Sequence, residues 1–524
     1  RRSRPTTPRG APSQAPIAAP KAPPEDAAPH DTGSQQKNNH ARSRQPNATY
    51  GSQPPRTQPA TKRHVRQPTT THGSGSQRRA RNAKHPGHCA GSDRALSGRD
   101  EHRRPRCPVQ FHPERRPMAR FVFATHAASA HVSPLIPVAR ELVSRGHEIT
   151  WYTGKSHQAK IEQVATYAPP THGQFTDFER LEQENPEIID MNRVERSAWF
   201  LSEIWAKSTE GQYHDLKAIC RPGDVLLADS GFWAANLLHE KDGVVWATVC
   251  QSPMSIPDPN LPPFGTGWQP GTTDWHRRRD RRGHEENMVK VFGPASTRIN
   301  AVRKTLNLPE TRGQKPTPYL FMQATIPSFE YPRTSLPGQV RFIGPLFPDL
   351  PKNFTPPDWW HELDTDSPKV LVTQGTSATN QDDLINPAVE ALKNEVDVIV
   401  TGQHEKARAA RFLPYAELMP KLSAIVTNGG YGTVQQAIAH GLPLVVSGQT
   451  EDKPEVCARV HWTGAGIDLK ARRPSSRRIR DAVRKVLSDD SYRTKSEELA
   501  KEMAGYDAKT EAATLLEELE ARQP

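Results

Sequence analysis

A short glycine-rich segment, Thr427 to Thr433, has the residue types best suited to binding a ligand in this chain. An apolar run at 424–426 is typical of a buried strand, and apolar residues at helical spacing follow the segment as far as Gly441. Glycines allow the backbone to approach a ligand closely, and the free N–H groups and dipole of a helix N-terminus favour an anion. The order of strand, glycine turn and helix therefore predicts a phosphate-binding site.

Charged residues follow the next predicted strand, 442–446, at Glu451, Asp452, Lys453 and Glu455. Open α/β sheets bind ligands just beyond the carboxyl ends of their strands. A carboxylate at such a position can accept hydrogen bonds from hydroxyl groups. Beside a predicted diphosphate site, this arrangement indicates a nucleotide sugar as the ligand.

A histidine and an aspartate follow two earlier predicted strands. His131 lies between the strand at 120–124 and the helix after it, and Asp229 directly follows the buried run 225–228. Because an imidazole titrates near neutral pH, His131 can take a proton from a hydroxyl group. A carboxylate that accepts from the imidazole N–H stabilises the imidazolium form. A structural role for His131 and a helix-capping role for Asp229 are the alternatives.

Predicted strands and helices alternate from residue 118 onwards, which indicates an α/β fold with parallel sheets. Apolar residues recur at helical spacing from Leu135 to Val143. Gly146 follows where a left-handed residue commonly ends a helix. The stretch 253–282, rich in Pro, Gly, Trp and then Arg, is predicted to be a long loop.

Composition divides the chain into two regions. Residues 1–117 contain 23 Lys or Arg and 7 Asp or Glu with almost no aliphatic runs, whereas the remainder contains 47 and 51. We predict that 1–117 is a disordered basic tail, and one interpretation is that it is not native and that Met118 is the natural start. The acidic balance of the remainder argues against specific nucleic-acid binding. We expect a domain at 118–345, a Pro-rich linker at 346–368 and a second domain with C-terminal helices at 369–524.

The cysteines are scattered, and no Cys-x-x-Cys pair occurs among Cys89, Cys107, Cys220, Cys250 and Cys457. This usage is typical of a reducing compartment. The sequence shows no apolar segment typical of a secretory signal and no run long enough for a transmembrane helix. We therefore predict a cytoplasmic location.

The block from Phe412 to Glu455 resembles the donor-binding signature of glycosyltransferase family 1. The matching text is Thr-Asn-Gly-Gly-Tyr-Gly-Thr-Val-Gln-Gln-Ala-Ile-Ala-His-Gly-Leu-Pro, followed by Glu-Asp-Lys-Pro-Glu. The resemblance extends from Met118 to the end of the chain. It implies two facing Rossmann-like domains, the GT-B fold. It also implies an inverting, metal-independent transfer of a hexose from a nucleotide sugar to a hydroxyl of a small apolar acceptor, with no cofactor besides the donor.

The resemblance also implies roles for individual residues. His131 matches the family's base in its His-x-x-Pro context, which His126 lacks, and Asp229 matches its partner. Asn428 and Gln436 replace the usual His and Glu, and Lys453 replaces a common Gln, so the choice between uridine and deoxythymidine donors stays open. Phe412 occupies the place of a base-stacking aromatic, with core packing as the alternative. The implied donor-binding residues are Thr376, Phe412, Asn428, Gly429, Gly430, Thr433, Gln436, Asp452 and Lys453.

Two other classes of function remain as alternatives. A nucleotide-sugar epimerase has the same architecture but does not need His131 and Asp229 beside an acceptor. A non-catalytic nucleotide-sugar-binding protein is consistent with Asn428 and Gln436. An NAD-dependent oxidoreductase is disfavoured, because the first turn between strand and helix, 125–131, contains no glycine.

Overall fold

The computed structural model describes residues 118–350, 353–375, 378 and 380–523. They belong to one compact unit that spans 108–524. The predicted tail at 1–117 lies outside the described residues.

The first sheet has seven parallel strands in the order β3-β2-β1-β4-β5-β6-β7. Its strands are mostly buried and rich in Val, Leu and aromatic residues, as expected where helices cover both faces of a parallel sheet. The strands are β1 (Arg120–Ala124), β2 (Glu148–Tyr152), β3 (Thr166–Ala168), β4 (Val225–Asp229), β5 (Val245–Cys250), β6 (Leu320–Gln323) and β7 (Val340–Phe342). Their α-helices are α1 (Ser129–Val132), α2 (Ile136–Ser144), α3 (Gln158–Ile161), α4 (Leu181–Glu184), α5 (Arg193–Trp199), α6 (Lys207–Ile219), α7 (Trp233–Asp242), α8 (Asp274–Lys290) and α9 (Phe292–Thr305).

The second sheet has six parallel strands in the order β10-β9-β8-β11-β12-β13. Its strands are β8 (Lys369–Thr373), β9 (Asp397–Thr401), β10 (Arg408–Ala410), β11 (Ala424–Thr427), β12 (Leu444–Val446) and β13 (Gly466–Asp468). The helices that follow β8 in the chain are α10 (Ile385–Leu392), α11 (Tyr415–Leu418), α12 (Tyr431–Ala439), α13 (Lys453–Thr463), α14 (Ser476–Ser488), α15 (Ser491–Met503) and α16 (Ala508–Ala521). The predicted α/β class with two parallel sheets is confirmed.

Short 3₁₀ turns connect many of these elements, at Ser133–Leu135, Lys155–His157, Pro186–Ile189, Pro327–Phe329, Asp358–Leu363, Gln381–Asp383 and Met419–Lys421. Between α5 and α6 the helix continues through a π-helical segment, Phe200–Ala206. Such segments are rare and often occur at functional sites. Here the segment lies beside the cleft described below.

Two local predictions need correction. Helix α8 occupies the last part of the predicted loop 253–282, because Thr273 caps its N-terminus and i,i+4 pairs such as Arg282–Glu286 stabilise its charged face. The predicted apolar stripe of α2 is buried except for Val143, which is exposed at the end of the helix. Gly146 follows with a φ of +96°, as the sequence predicts.

The last helix, α16, packs on the first sheet although it follows the helices of the second. It contacts α2, β4 and β6, and its Ala512, Ala513 and Leu516 lie in the same core as Phe121 and Leu142. The chain passes from the first sheet to the second between β7 and β8 and returns to the first sheet before α16. We call each sheet with the helices that pack on it one half of the molecule. Among the described residues, no helix has the length and apolar character needed to cross a membrane.

The packing of α16 on the first sheet can be tested by substitution. Leu516 is fully buried, so Leu516→Ala should lower the free energy of unfolding by about 2–5 kcal/mol. Denaturant unfolding measures this change. The control is Glu518→Ala on the same helix, which removes only a partly exposed pair with Arg522 and should cost less than about 1 kcal/mol. Equal effects of the two substitutions would contradict the packing.

Candidate functional site

A single large cleft is lined by loops from both sheets. The strand order reverses between β1 and β4 in the first sheet and between β8 and β11 in the second, and such switch points are where open α/β sheets bind ligands. The loops after these four strands contribute to a cleft of about 1790 Å³.

The glycine turn forms one wall of the cleft. Gly430 precedes the first residue of α12, so the free N–H groups of that helix begin at the cleft. Thr433 also lines the cleft, on the first turn of the helix. This wall has the geometry that binds a phosphate group.

The two central glycines have different roles. Gly429 has a φ of +83°, and a Cβ there would lie 2.6 Å from the Cys457 Sγ. Gly430 has a φ of −59°, and the nearest atom to a Cβ there is 3.8 Å away, at the Asn428 Oδ1. Gly429 is therefore required by the fold, whereas Gly430 leaves space that a ligand can use.

Asn428 joins two loops at this wall. Its Nδ2 donates to the backbone carbonyl of Gln374, which follows β8, and its own backbone N–H donates to the Thr373 carbonyl. The residue is buried, and Oδ1 has no hydrogen-bond partner among the described residues. Asn428 thus holds the loops after β8 and β11 together at the edge of the cleft.

The remaining predicted donor residues of this half lie around the same wall. Phe412 lines the cleft with 59% of its surface exposed, which rules out the core-packing alternative. Gln436 lines the cleft too, and its Nε2 donates to the Gly432 carbonyl of its own helix. Thr376 lies outside the described residues, although Gly375 before it lines the cleft.

The charged segment after β12 forms the next part of the wall. Glu451, Asp452 and Lys453 all line the cleft. The Lys453 ammonium contacts the Glu451 carboxylate, and burial raises the pKa of Asp452. Asp452 is therefore the carboxylate of this segment without a lysine or arginine salt-bridge partner among the described residues.

His131 and Asp229 lie together on the opposite side. The His131 Nδ1 is 3.0 Å from the Asp229 Oδ2. The imidazole lines the cleft, whereas Asp229 is almost completely buried behind it. Burial by itself lowers the pKa of His131, but the attraction of Asp229 and, less strongly, of Asp452 outweighs it and raises the pKa above 6.5. A histidine with this environment can accept a proton and remain stable as an imidazolium.

His126 has a different environment. It is buried, its ring stacks on Trp205 at a centroid distance of 4.8 Å, and its backbone N–H donates to the Asp229 Oδ2 at 2.7 Å. Burial lowers its pKa to about 4. The ring of His126 is therefore neutral at physiological pH and supports its neighbours by packing.

The first half also contributes an apolar wall that the sequence did not identify. The cleft is lined there by large side chains from distant parts of the chain: Phe178, Phe200, Leu201, Trp205, Trp233, Met288 and Phe292. Phe200 and Trp205 are close in the sequence, but only the fold brings them together with Phe178 and Trp233. Within the described part of the chain, no group of three or more His, Cys, Asp or Glu side chains is suited to hold a metal ion.

Comparisons with known proteins identify the family of this chain. Residues 389–519 match the family described as Erythromycin biosynthesis protein CIII-like, C-terminal domain. The 4'-demethylrebeccamycin synthase of Lentzea aerocolonigenes is 38% identical over 420 residues, which cover 76% of this chain and 99% of that protein. The chain belongs to glycosyltransferase family 1. UDP-glycosyltransferase 2 of Phaeomoniella chlamydospora is 31% identical over 428 residues, 75% of this chain and 93% of that protein.

Solved glycosyltransferase structures have the same fold. The glycotransferase of kitacinnamycin matches with a TM-score of 0.59 at 19% identity, covering 77% of this chain and all of that one. The calicheamicin glycosyltransferase CalG4 matches with a TM-score of 0.56 at 17% identity, covering 78% and 99%. The predicted family, the GT-B fold and the assignment as a glycosyltransferase enzyme are confirmed.

The unequal roles of the two glycines can be tested in this glycosyltransferase. Gly430→Val should leave the thermal unfolding temperature nearly unchanged and weaken nucleoside diphosphate binding at least about tenfold, because the side chain occupies the space for the phosphates. Calorimetric titration with UDP and dTDP measures the affinity. The matched variant Gly429→Ala should instead lower the unfolding temperature, owing to its positive φ and the contact with Cys457. Wild-type nucleoside diphosphate affinity in Gly430→Val would show that the glycine turn is not part of the binding site.

Proposed function

We propose that this glycosyltransferase transfers a hexose from a nucleoside diphosphate sugar to a hydroxyl of a small apolar acceptor, with inversion and without a metal ion. The observation that carries the proposal is the 3.0 Å contact between the His131 Nδ1 and the Asp229 Oδ2. It occurs in the same cleft as the glycine turn of α12 and Asp452. A proton acceptor, an anion site and a free carboxylate thus line one space.

The donor binds along the second half of the cleft in this proposal. Phe412 stacks on the base, the N-terminus of α12 binds the diphosphate with Thr433, and Asp452 accepts hydrogen bonds from sugar hydroxyls. The helix N-terminus takes the part that a cation plays in metal-dependent transferases. The similarity to UDP-glycosyltransferase 2 supports a uridine donor. Because Gln436 replaces the usual Glu, a deoxythymidine donor remains the alternative.

The acceptor binds against the aromatic wall, with its hydroxyl next to His131. Because Nδ1 faces Asp229, Nε2 is the nitrogen available to the acceptor. Nε2 takes the hydroxyl proton while the oxygen attacks the anomeric carbon, and the bond from that carbon to the diphosphate breaks. The leaving diphosphate keeps the electron pair, and Asp229 stabilises the imidazolium. A single displacement of this kind inverts the anomeric centre.

The relatives do not favour the epimerase or the non-catalytic alternative, since the similar proteins named above are a synthase and a glycosyltransferase. A contact between His131 and Asp229 at an acceptor wall is also unnecessary for either alternative. The cytoplasmic location and the absence of a further cofactor remain predictions.

Replacing the base tests the proposal directly. His131→Ala should lower turnover about 10²–10⁴-fold with a hydroxyl acceptor, while nucleotide sugar affinity changes little. Product formation by mass spectrometry and donor binding by calorimetry measure the two effects. An aromatic thiol acceptor should recover part of the loss, because it releases its proton more easily. Full activity in His131→Ala together with loss of activity in His126→Ala would show that His126 is the base.

The pH dependence gives an independent test of Asp229. The base acts in its neutral form, so kcat/KM falls at pH values below the raised pKa of His131. Asp229→Asn removes the carboxylate that raises this pKa, so the acidic limb of the profile should move to lower pH while the plateau falls. An acidic limb at the wild-type position would show that Asp229 does not control His131.

A further inference from the structure

The charged segment after β12 is held by contacts from the first half of the molecule. Arg196, on α5, donates to the Glu451 Oε1 from Nη2 at 2.7 Å and from Nε at 3.2 Å. Its guanidinium also donates to the Glu182 carboxylate at 3.1 Å, and the residue is only 6% exposed. Burial raises the pKa of Glu451, but the attraction of Lys453 and Arg196 outweighs it and lowers this pKa to about 2. The contact therefore persists as an ion pair at neutral pH.

The backbone of Glu451 shows why such a contact is needed. Its φ is +50°, in the left-handed region that residues other than glycine adopt uncommonly. Conformations of this kind persist only when surrounding contacts enforce them. Here the Arg196 guanidinium and the Lys453 ammonium both hold the side chain, and the next residue is Asp452. The conformation of Glu451 thus sets the direction from which Asp452 enters the cleft.

A second contact joins the same segment to the first half. We define residues 263–269 as the strap. The Glu455 Oε1 accepts from the backbone N–H groups of Gly265 at 2.9 Å and Gly267 at 2.8 Å, and Oε2 accepts from Arg459 at 2.9 Å. Glu455 is buried, and a Cβ on Gly267 would lie 2.9 Å from the Pro454 carbonyl oxygen.

Helix α5 supports both contacts. Arg193 donates to the Gly265 carbonyl of the strap, three residues before Arg196 on the same helix. The first turn of α13 is therefore held from two directions by one helix and the strap beside it.

We propose that Arg196 and Glu455 are positioning residues for the donor sugar, through which the acceptor-binding half orients Asp452. The inference rests on the proposed function, in which Asp452 binds the sugar. The glycine turn and Phe412, which bind the nucleoside diphosphate in that proposal, belong to the second half of the molecule. Recognition of the sugar thus depends on the first half, whereas recognition of the nucleoside diphosphate does not.

If the two halves recognise different parts of the donor, a substitution at Arg196 should affect UDP-glucose binding and UDP binding differently. Arg196→Met keeps most of the side-chain volume and removes the charge, and we expect it to weaken UDP-glucose binding at least about tenfold while UDP binding stays within about twofold. The matched control is Arg298→Met, which removes a guanidinium that pairs with Glu203 inside the first half and should change neither affinity. Calorimetric titration with UDP-glucose and UDP, repeated with dTDP-glucose and dTDP, measures all four values.

A rescue variant separates positioning from direct contact with the sugar. Glycine adopts a φ of +50° without steric cost, so Arg196→Met combined with Glu451→Gly should recover part of the lost UDP-glucose affinity. Recovery would support positioning through the backbone, and no recovery would mean that Arg196 contacts the sugar itself, which overturns the inference. Glu455→Gln should likewise weaken UDP-glucose binding more than UDP binding. An amide oxygen accepts more weakly than a carboxylate from the backbone N–H groups of the strap.

The remaining outcomes distinguish the two proposals. If Arg196→Met binds both UDP-glucose and UDP like wild type, or loses both equally, the positioning inference is wrong while the proposed function stands. If the wild-type protein binds UDP and dTDP but neither nucleotide sugar, the proposed function fails and the inference fails with it. Thermal unfolding of each variant confirms that the fold is retained.

Discussion

The contacts of the buried Asp229 carboxylate hold together the part of the cleft formed by the loops after β1 and β4. One of its oxygens accepts the backbone N–H of His126 and lies 3.0 Å from the His131 Nδ1. This is possible because β1 and β4 pair in parallel with Ala124 opposite Ala228, so the end of β4 lies beside the loop that leaves β1. The same carboxylate therefore fixes the backbone of that loop and the charge environment of its histidine. A shift in the register between β1 and β4 would separate this carboxylate from the loop and from His131.

In the second half, too, a side chain joins the loops that follow two adjacent parallel strands, but it is an amide instead of a carboxylate. β8 and β11 pair in parallel, and Asn428 after β11 donates to the carbonyl of Gln374 after β8. A neutral amide joins the loops here, so Asn428 adds no charge to the positive end of the α12 dipole. Gly429 allows the turn to pack against Cys457, and Gly430 keeps the space in front of the helix open. The fold and the ligand thus place separate demands on adjacent glycines.

The charged segment after β12 shows how the two halves work as one site. Glu451 and Glu455 both point their carboxylates at groups of the first half, Arg196 and the backbone of the strap. Asp452 is left facing the cleft, close enough to His131 to raise its pKa. A buried ion pair is weak evidence for stability, because the cost of removing both charges from water offsets their attraction. That arrangement brings the Asp452 carboxylate and the His131 imidazole to one cleft.

The parallel α/β class, the strands before His131 and Asp229, and the strand, glycine turn and helix at 424–439 could all be predicted from the sequence. These features follow from short-range physics, since hydrophobic periodicity and turn chemistry act over a few residues. Other features became clear only from the folded chain: α8 occupies part of a predicted loop, α16 returns to the first sheet, and Phe412 is exposed. The apolar wall of the cleft and the pairing of Arg196 with Glu451 are likewise visible only in the structure. Their partners lie up to hundreds of residues apart, so no local pattern encodes which side chains meet.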